Sequence, residues 1–412
     1  MSKRRVVITG LGVIASNGIG KKDFWEAIKE GRSGISLIDR FDRTPFPTKI
    51  AGEVKNFNPE NYIDKKNVKR MDRTSHFAIA AAKMAVEDAK VDLSNGYSER
   101  AGVIIGTSMS GIGYLLDQHD TFRDSGPMRI SPFTALASFP DACTSQVSIA
   151  LNIKGPSFSL STACSSASDA VGYATEAIQS GKLDFIIMGG SEATLYAPIF
   201  ASFCVARAMS TRNEEPQRAS RPFNLDRDGF VLGEGAGIFV LEEYEHAKKR
   251  GAHIYAEVLG HGMTCDAYHM TAPDPKGGEA SRAMQMALKN AGVGINDVNY
   301  INAHGTSTPL NDKTETMVIK KVFGKQAYNI PVSSTKSMIG HLIGAAGAVE
   351  LVTTLLAMDE QMLPPTINYE VPDPECDLDY VPNKARPAKI EIAMKNSFGF
   401  GGKNSILILG KV

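Results

Sequence analysis

Short apolar runs alternate with longer stretches of helical periodicity along the chain. RVVITGLG (5–12), AGVIIGTS (101–108), DFIIMGGSEA (184–193) and GAGIFVLEE (235–243) are continuous apolar segments rich in β-branched residues, and they predict buried strands. HFAIAAAKMAVEDA (76–89) and SRAMQMALKNAG (281–292) carry apolar residues at helical spacing. Strands that alternate with helices in this way predict an α/β fold whose sheets are covered by helices.

The pattern also echoes itself. The helix at 76–89 leads to VIIGTS (103–108), and the helix at 281–292 leads to INAHGTS (301–307). SLSTACSSASDAVGYATEAI (159–178) places a strand end before a helix of small residues, as does VSSTKSMIGHLIGAAGAVELV (332–352). GFVLGEGAGIFVLEE (229–243) and SFGFGGKNSILILG (397–410) each join a glycine turn to a strand. Three likenesses in the same order predict an internal duplication, with the division between residues 1–256 and 257–412. Their unequal spacing argues against a solenoid.

Composition narrows the function classes. The 412 residues are 43% hydrophobic, enough for a large core, and 45 basic residues balance 45 acidic ones. No overall field draws the chain to nucleic acid or to an anionic membrane. Five widely spaced cysteines form neither a zinc pattern nor a secretory disulfide framework. The opening MSKRRVVITGLGVIAS reads as a buried strand and turn, too short to span a bilayer. A reduced cytoplasmic protein is expected.

Candidate chemistry gathers at four segments. Cys164 precedes a small-residue stretch, and a cysteine in the first turn of such a helix meets unpaired N–H groups that favour thiolate. A buried packing cysteine is the commoner case. His304 lies in NAHGTSTPLND and His341 in STKSMIGHLIGAAG, with Lys336 before it and Glu350 after it. If the halves pack with pseudo-symmetry, both histidines converge on Cys164 in a site suited to covalent acyl chemistry. NSFGFGGKN (396–404) is a glycine turn that lets backbone approach a ligand. It is neither a phosphate loop nor a dinucleotide fingerprint, and no metal-ligand spacing occurs.

Together these segments resemble the β-ketoacyl-[acyl-carrier-protein] synthases, with synthase II of dissociated fatty acid synthesis the type they are most similar to. The resemblance runs through ASRPFNLDRDGFVLGEGAG (219–237) and DAYHMTAP (266–273) to the end. It implies the thiolase fold, a duplicated five-layer αβαβα architecture, in a homodimer. It also implies a decarboxylative Claisen condensation. An acyl group passes from carrier-protein phosphopantetheine to Cys164. Malonyl on a second acyl carrier protein loses CO2, and the carbanion attacks the acyl-cysteine.

Carried over by motif, His304 and His341 stabilise the enolate, Lys336 and Glu350 support the site, and the N–H groups of Cys164 and Phe400 form the oxyanion hole. Phe400 gates the site between its flanking Gly399 and Gly401. Thr306 and Thr308 bind the pantetheine arm, while Met109 and Phe203 border the acyl pocket. An acidic carrier implies a basic docking patch, for which Lys65, Lys66, Lys69, Arg70, Arg73, Arg129 and Arg207 are candidates. No resident cofactor, metal, nucleic acid or membrane is implied.

The sequence departs from the usual elongation pattern in VIASNGIG (13–20), in SSASDA after the nucleophile, at Met109 and at Lys403. The ketosynthase of a type II polyketide or polyene pathway, paired with a chain-length partner, therefore stays as an alternative. Retention of Cys164 argues against a non-catalytic chain-length subunit. The histidine pair argues against a coenzyme A thiolase or a cysteine hydrolase.

Overall fold

The computed structural model describes residues 3–93 and 99–412. Its main sheet has eleven strands: two runs of five that repeat each other and a short strand, Gly18–Ile19, paired with the end of Val6–Ala15. From its outer edge the first run is Ser157–Leu160, Ala101–Gly106, Phe185–Glu192, Gly235–Glu243 and Val6–Ala15. The second is Val332–Ser333, Tyr300–Asn302, Ile392–Gly399, Lys403–Gly410 and Ala256–Cys265. Numbered by position in its own half, each run reads 3-2-4-5-1. In both, strand 2 is parallel to strands 3 and 4, and strand 5 is antiparallel to strands 4 and 1. The two first strands join the halves where Val7 faces Glu257 and Ile8 faces Ala256.

The helices repeat in the same order. Arg73–Ala89 and Ala142–Leu151 cover the outer face of the first half, and Gly278–Ala291 and Pro309–Phe323 cover that of the second. Between the halves lie Ser166–Gln179 and Ala346–Glu360, which touch each other and strands of both halves. The layers are therefore αβαβα, as the resemblance implies. The duplication read from the sequence is present in topology and strand direction.

Two glycine pairs show why the repeats keep their register. A Cβ on Gly12 would stand 1.9 Å from the Ala81 carbonyl oxygen, and one on Gly262 would stand 2.1 Å from that of Ala283. Each first strand thus lies directly on the backbone of its covering helix, a closeness only glycine permits. The buried inner helix Ala346–Glu360 is apolar on nearly every side, with Ala346–Met358 all buried. Glu350 is its one buried charge, which sets up the site. Among the described residues no helix is long and apolar enough to cross a membrane.

Candidate active site

The strand ends of both halves meet above the inner helices, and Cys164 stands there. It precedes Ser165, the cap of Ser166–Gln179, and so lies ahead of the first turn that the sequence suggested. Ala163 takes a left-handed φ of 54°, a conformation costly for a residue with a Cβ. The Ser108 and Ser166 hydroxyls hold it by donating to the Ala163 carbonyl at 3.0 and 2.6 Å. Positive φ also occurs at Ser307 and at β-branched Ile343, close after His304 and His341. Backbone strain is thus stored beside all three candidate catalytic residues.

His341 Nε2 lies 3.0 Å from Cys164 Sγ. The rings of His304 and His341 meet edge to face with centroids 5.3 Å apart. Phe230 packs edge-on against His341, and Phe203 against Phe230. Cys164 is therefore walled by apolar side chains. Burial pushes its thiol up to about 11, although the Phe400 N–H and Lys336 pull the other way. The thiolate expected from the helix terminus is not the resting form, because desolvation outweighs the backbone donors. Burial also drives both histidines well below the usual histidine range, with Lys336 and Lys395 adding to the effect. The resting site holds a thiol beside two neutral imidazoles.

Behind the histidines lies a buried polar lattice. Lys336 Nζ donates to the His304 carbonyl at 2.6 Å, approaches His304 Nδ1 at 3.3 Å, and pairs with Glu350. The Glu315 carboxylate accepts the N–H groups of His304 and Gly305 at 2.9 and 2.8 Å. Lys395 Nζ lies 3.0 Å from the second oxygen of Glu350. On the opposite side Glu192 accepts the N–H groups of Ser108, Met109 and Gly344 at 2.7, 3.1 and 3.1 Å. That carboxylate, buried between the halves, is pushed up to about 7 by desolvation.

A cavity of about 600 Å3 opens onto Cys164, His304 and His341. Thr306, Thr308, Phe203, Phe398, Gly399 and Phe400 line it. The Thr306 and Thr308 hydroxyls bond each other at 2.8 Å. The structure thus brings Cys164, His304, His341, Lys336, Glu350, Phe400, Gly399, Thr306, Thr308 and Phe203 together. Gly401 does not line the cavity; it shapes the turn at φ 78° and donates to the Met270 carbonyl at 2.7 Å. Met109 does not line it either; its N–H donates to Glu192.

Of the basic candidates, Arg207 lies at the cavity wall, while Lys65, Lys66, Lys69, Arg70 and Arg129 are exposed away from it. Arg70 sits over the Phe133 ring at 4.9 Å. Arg73 departs from the docking reading: it pairs at 2.7 Å with Glu234, whose side chain is wholly buried. A buried carboxylate needs such a partner more than the surface needs a charge.

Sequence reasoning missed Lys395, Glu315 and Glu192. The available signal was a lysine inside the apolar strand EIAMKNSFG. Among the described residues no group of three His, Cys, Asp or Glu side chains is placed to hold a metal ion.

The chain is similar over its full length to known proteins. Residues 3–247 match the family model for the N-terminal domain of β-ketoacyl synthases, and residues 255–370 that for the C-terminal domain. A 3-oxoacyl-[acyl-carrier-protein] synthase 2 from Synechocystis is 49% identical over 411 residues, covering 100% of this chain and 99% of the relative. Among solved structures, a type II polyketide ketosynthase seen with its acyl-carrier protein and bound to the hexaketide superposes with a TM-score of 0.93 at 38% identity, with 100% of both chains covered. The ishigamide ketosynthase/chain length factor superposes with a TM-score of 0.92 at 37% identity, again over 100% of both chains.

Proposed function

Because the chain belongs to the β-ketoacyl synthase family, we propose that it elongates acyl chains in fatty acid synthesis by decarboxylative condensation on acyl carrier protein. The observation that carries this reading is the 3.0 Å approach of His341 Nε2 to Cys164 Sγ with His304 edge-on beside it.

In the first half-reaction Cys164 Sγ attacks the carrier-bound thioester carbonyl. His341 Nε2 takes the thiol proton, and the carrier thiol leaves with a proton. A neutral imidazole within hydrogen-bond reach is the base a high-pKa thiol requires. The N–H groups of Cys164 and Phe400 receive the tetrahedral oxyanion. In the second, malonyl on the carrier loses CO2 as its carbon–carboxylate bond breaks. Negative charge builds on the thioester oxygen, where His304 and His341 donate. The enolate carbon bonds to the acyl carbonyl, the Cys164 sulfur leaves, and the sulfur takes up one proton. Thr306 and Thr308 hold the pantetheine arm, and Phe400 on its glycine turn separates the two half-reactions.

Three further parts of the reading concern assembly. We place the division of the halves at 256/257, one residue into the strand Ala256–Cys265 that opens the second half. A homodimer suits the open edge strand Ser157–Leu160 and the exposed Leu136, Phe139, Ile149 and Phe158, since an apolar unpaired edge invites a second copy. Lys65, Lys66, Lys69, Arg70, Arg129 and Arg207 receive the acidic carrier and act mainly on encounter rate. The chain works in the cytoplasm.

A second reading, a polyketide or polyene ketosynthase acting with a chain-length partner, draws on the two structural likenesses at 37–38% identity. The test incubates the purified chain alone with malonyl-carrier and saturated acyl-carriers of graded length, and reads product mass. Gain of a β-keto two-carbon unit supports fatty acid elongation. A folded chain that is inactive alone but gains activity with an added chain-length subunit supports the second reading.

A further inference from the structure

Lysine is almost never fully buried in proteins, yet Lys395 has no exposed surface. It occupies the strand Ile392–Gly399 between apolar Met394 and Asn396, and it points at the inner helices. Its Nζ meets three acceptors: Ser168 Oγ at 3.1 Å, Ser397 Oγ, and Glu350 Oε2 at 3.0 Å. Two of these contacts are hydrogen bonds to serine hydroxyls and the third is an ion pair with Glu350. Ser168 lies on the nucleophile's own helix, Ser397 at the root of the Phe400 turn, and Glu350 on the helix after His341. One amine therefore ties together the helix after the nucleophile, the strand that leads to the Phe400 turn and the helix after His341.

Glu350 is shared. One of its oxygens holds Lys336 and the other holds Lys395. A single carboxylate thus bridges two ammonium groups, and the Glu315 carboxylate beside the His304 N–H is the next negative charge. Two ions that needed only each other would not require the second lysine, and burying it is costly. The arrangement makes sense if the second lysine has a use.

We propose that Lys395 is a positioning residue of this site: it fixes Glu350, and through it Lys336 against His304, and supplies the positive charge that disfavours protonation of the histidine pair. The inference rests on the condensation reading above for its purpose but not for its geometry. The groups facing the two histidines are Lys336, Glu350, Lys395, Glu315 and Cys164, with Arg207, Asp228 and Asp266 across the cavity. Burial lowers both histidines, and the nearby lysines lower them further. Neutral imidazoles are what the site needs, His341 to accept the thiol proton and both to donate to the enolate oxygen.

The test compares the full-length protein with Lys395→Met. The first readout is an NMR titration of 13Cε1-labelled histidine, assigned through His304→Ala and His341→Ala. The second is the pH dependence of kcat for malonyl-carrier decarboxylation. Removing one buried positive charge is expected to raise both histidine midpoints, and with them the acid limb of kcat, by about one pH unit. KM for the malonyl carrier should move less than kcat. If Lys395→Met does not fold, the triple variant K395M/S168A/S397A, which leaves no orphaned hydroxyl, is read in the same way. Unmoved histidine midpoints in a folded variant overturn the proposal, even where Tm falls. A wild-type protein that never decarboxylates malonyl-carrier overturns the condensation reading alone, because the NMR titration still decides on Lys395.

Discussion

The Lys336 amine lies 3.3 Å from His304 Nδ1 and 2.6 Å from the His304 carbonyl oxygen. An amine that spends its protons on Glu350 and on this carbonyl turns Nδ1 into an acceptor. The ring proton then resides on Nε2, the atom left to face the cavity. Lys336 thus sets a tautomer, and the tautomer makes His304 a hydrogen-bond donor to a developing enolate. Replacing Lys336 by Met should lower malonyl decarboxylation by about 10²-fold, the cost of one misaligned donor. Acylation of Cys164 should persist, because His341 serves it separately. CO2 release and protein acylation measured side by side check this split.

The two histidines should fail differently. His304→Ala is expected to suppress decarboxylation while Cys164 still accepts an acyl group. His341→Ala is expected to slow acylation as well, since its Nε2 stands 3.0 Å from the sulfur. The loss in each affected step should be about 10²-fold or more. Single-turnover acylation and decarboxylation assays separate them, and equal losses in both steps for both variants would show that the roles are not divided.

Burial places the Cys164 thiol at about 11. Alkylation by iodoacetamide should therefore rise about tenfold per pH unit between pH 7 and 10 without reaching a plateau. A plateau near pH 7 would mean a resting thiolate and would contradict the electrostatic account. The histidines act on stability in a defined direction. Their folded midpoints lie below the ordinary value of 6.5, so the stability they contribute is complete above that value and is lost as pH falls below it. Glu192, raised to about 7, works in the opposite sense. Its contribution is present at acid pH and is lost as pH rises through 7. Glu192→Gln should accordingly make acid destabilisation steeper, as urea unfolding between pH 5 and 7 would record.

Gly12 and Gly262 occupy matching places in the two halves, each against a helix carbonyl. Alanine at either position should cost about 3 kcal/mol or more, because backbone rather than a flexible side chain must yield. Denaturant unfolding is expected to give similar losses for Gly12→Ala and Gly262→Ala. A near-neutral result at one position would break the equivalence of the repeats.

These pairs also show what was legible in the sequence. The apolar runs at 101–108, 184–193 and 235–243 became strands within two residues of their read ends, because continuous β-branched stretches have few other fates in an α/β chain. Cys164, His304 and His341 were legible through the short segments around them, whose glycines and hydroxyls fix the local backbone. The lattice behind them was not. Lys395 bonds Ser168 across 227 residues of sequence, and Glu192 reaches Gly344 across 152. No local periodicity encodes a contact that exists only once the two halves close. The thiolate expectation failed for a related reason: a helix terminus is visible in sequence, but the desolvation that overrides it depends on Phe230 and the apolar wall around Cys164.

The most direct test of the whole account is the intact mass of the protein after incubation with an acyl-carrier, followed by addition of malonyl-carrier. The account predicts one acyl group per chain, mapped by peptide to Cys164 and absent from a folded Cys164→Ala variant. Malonyl-carrier should then discharge it with release of CO2 and appearance of a β-ketoacyl carrier. A wild-type chain that gains no mass, or one whose acyl group is released by water as a free acid, would contradict it.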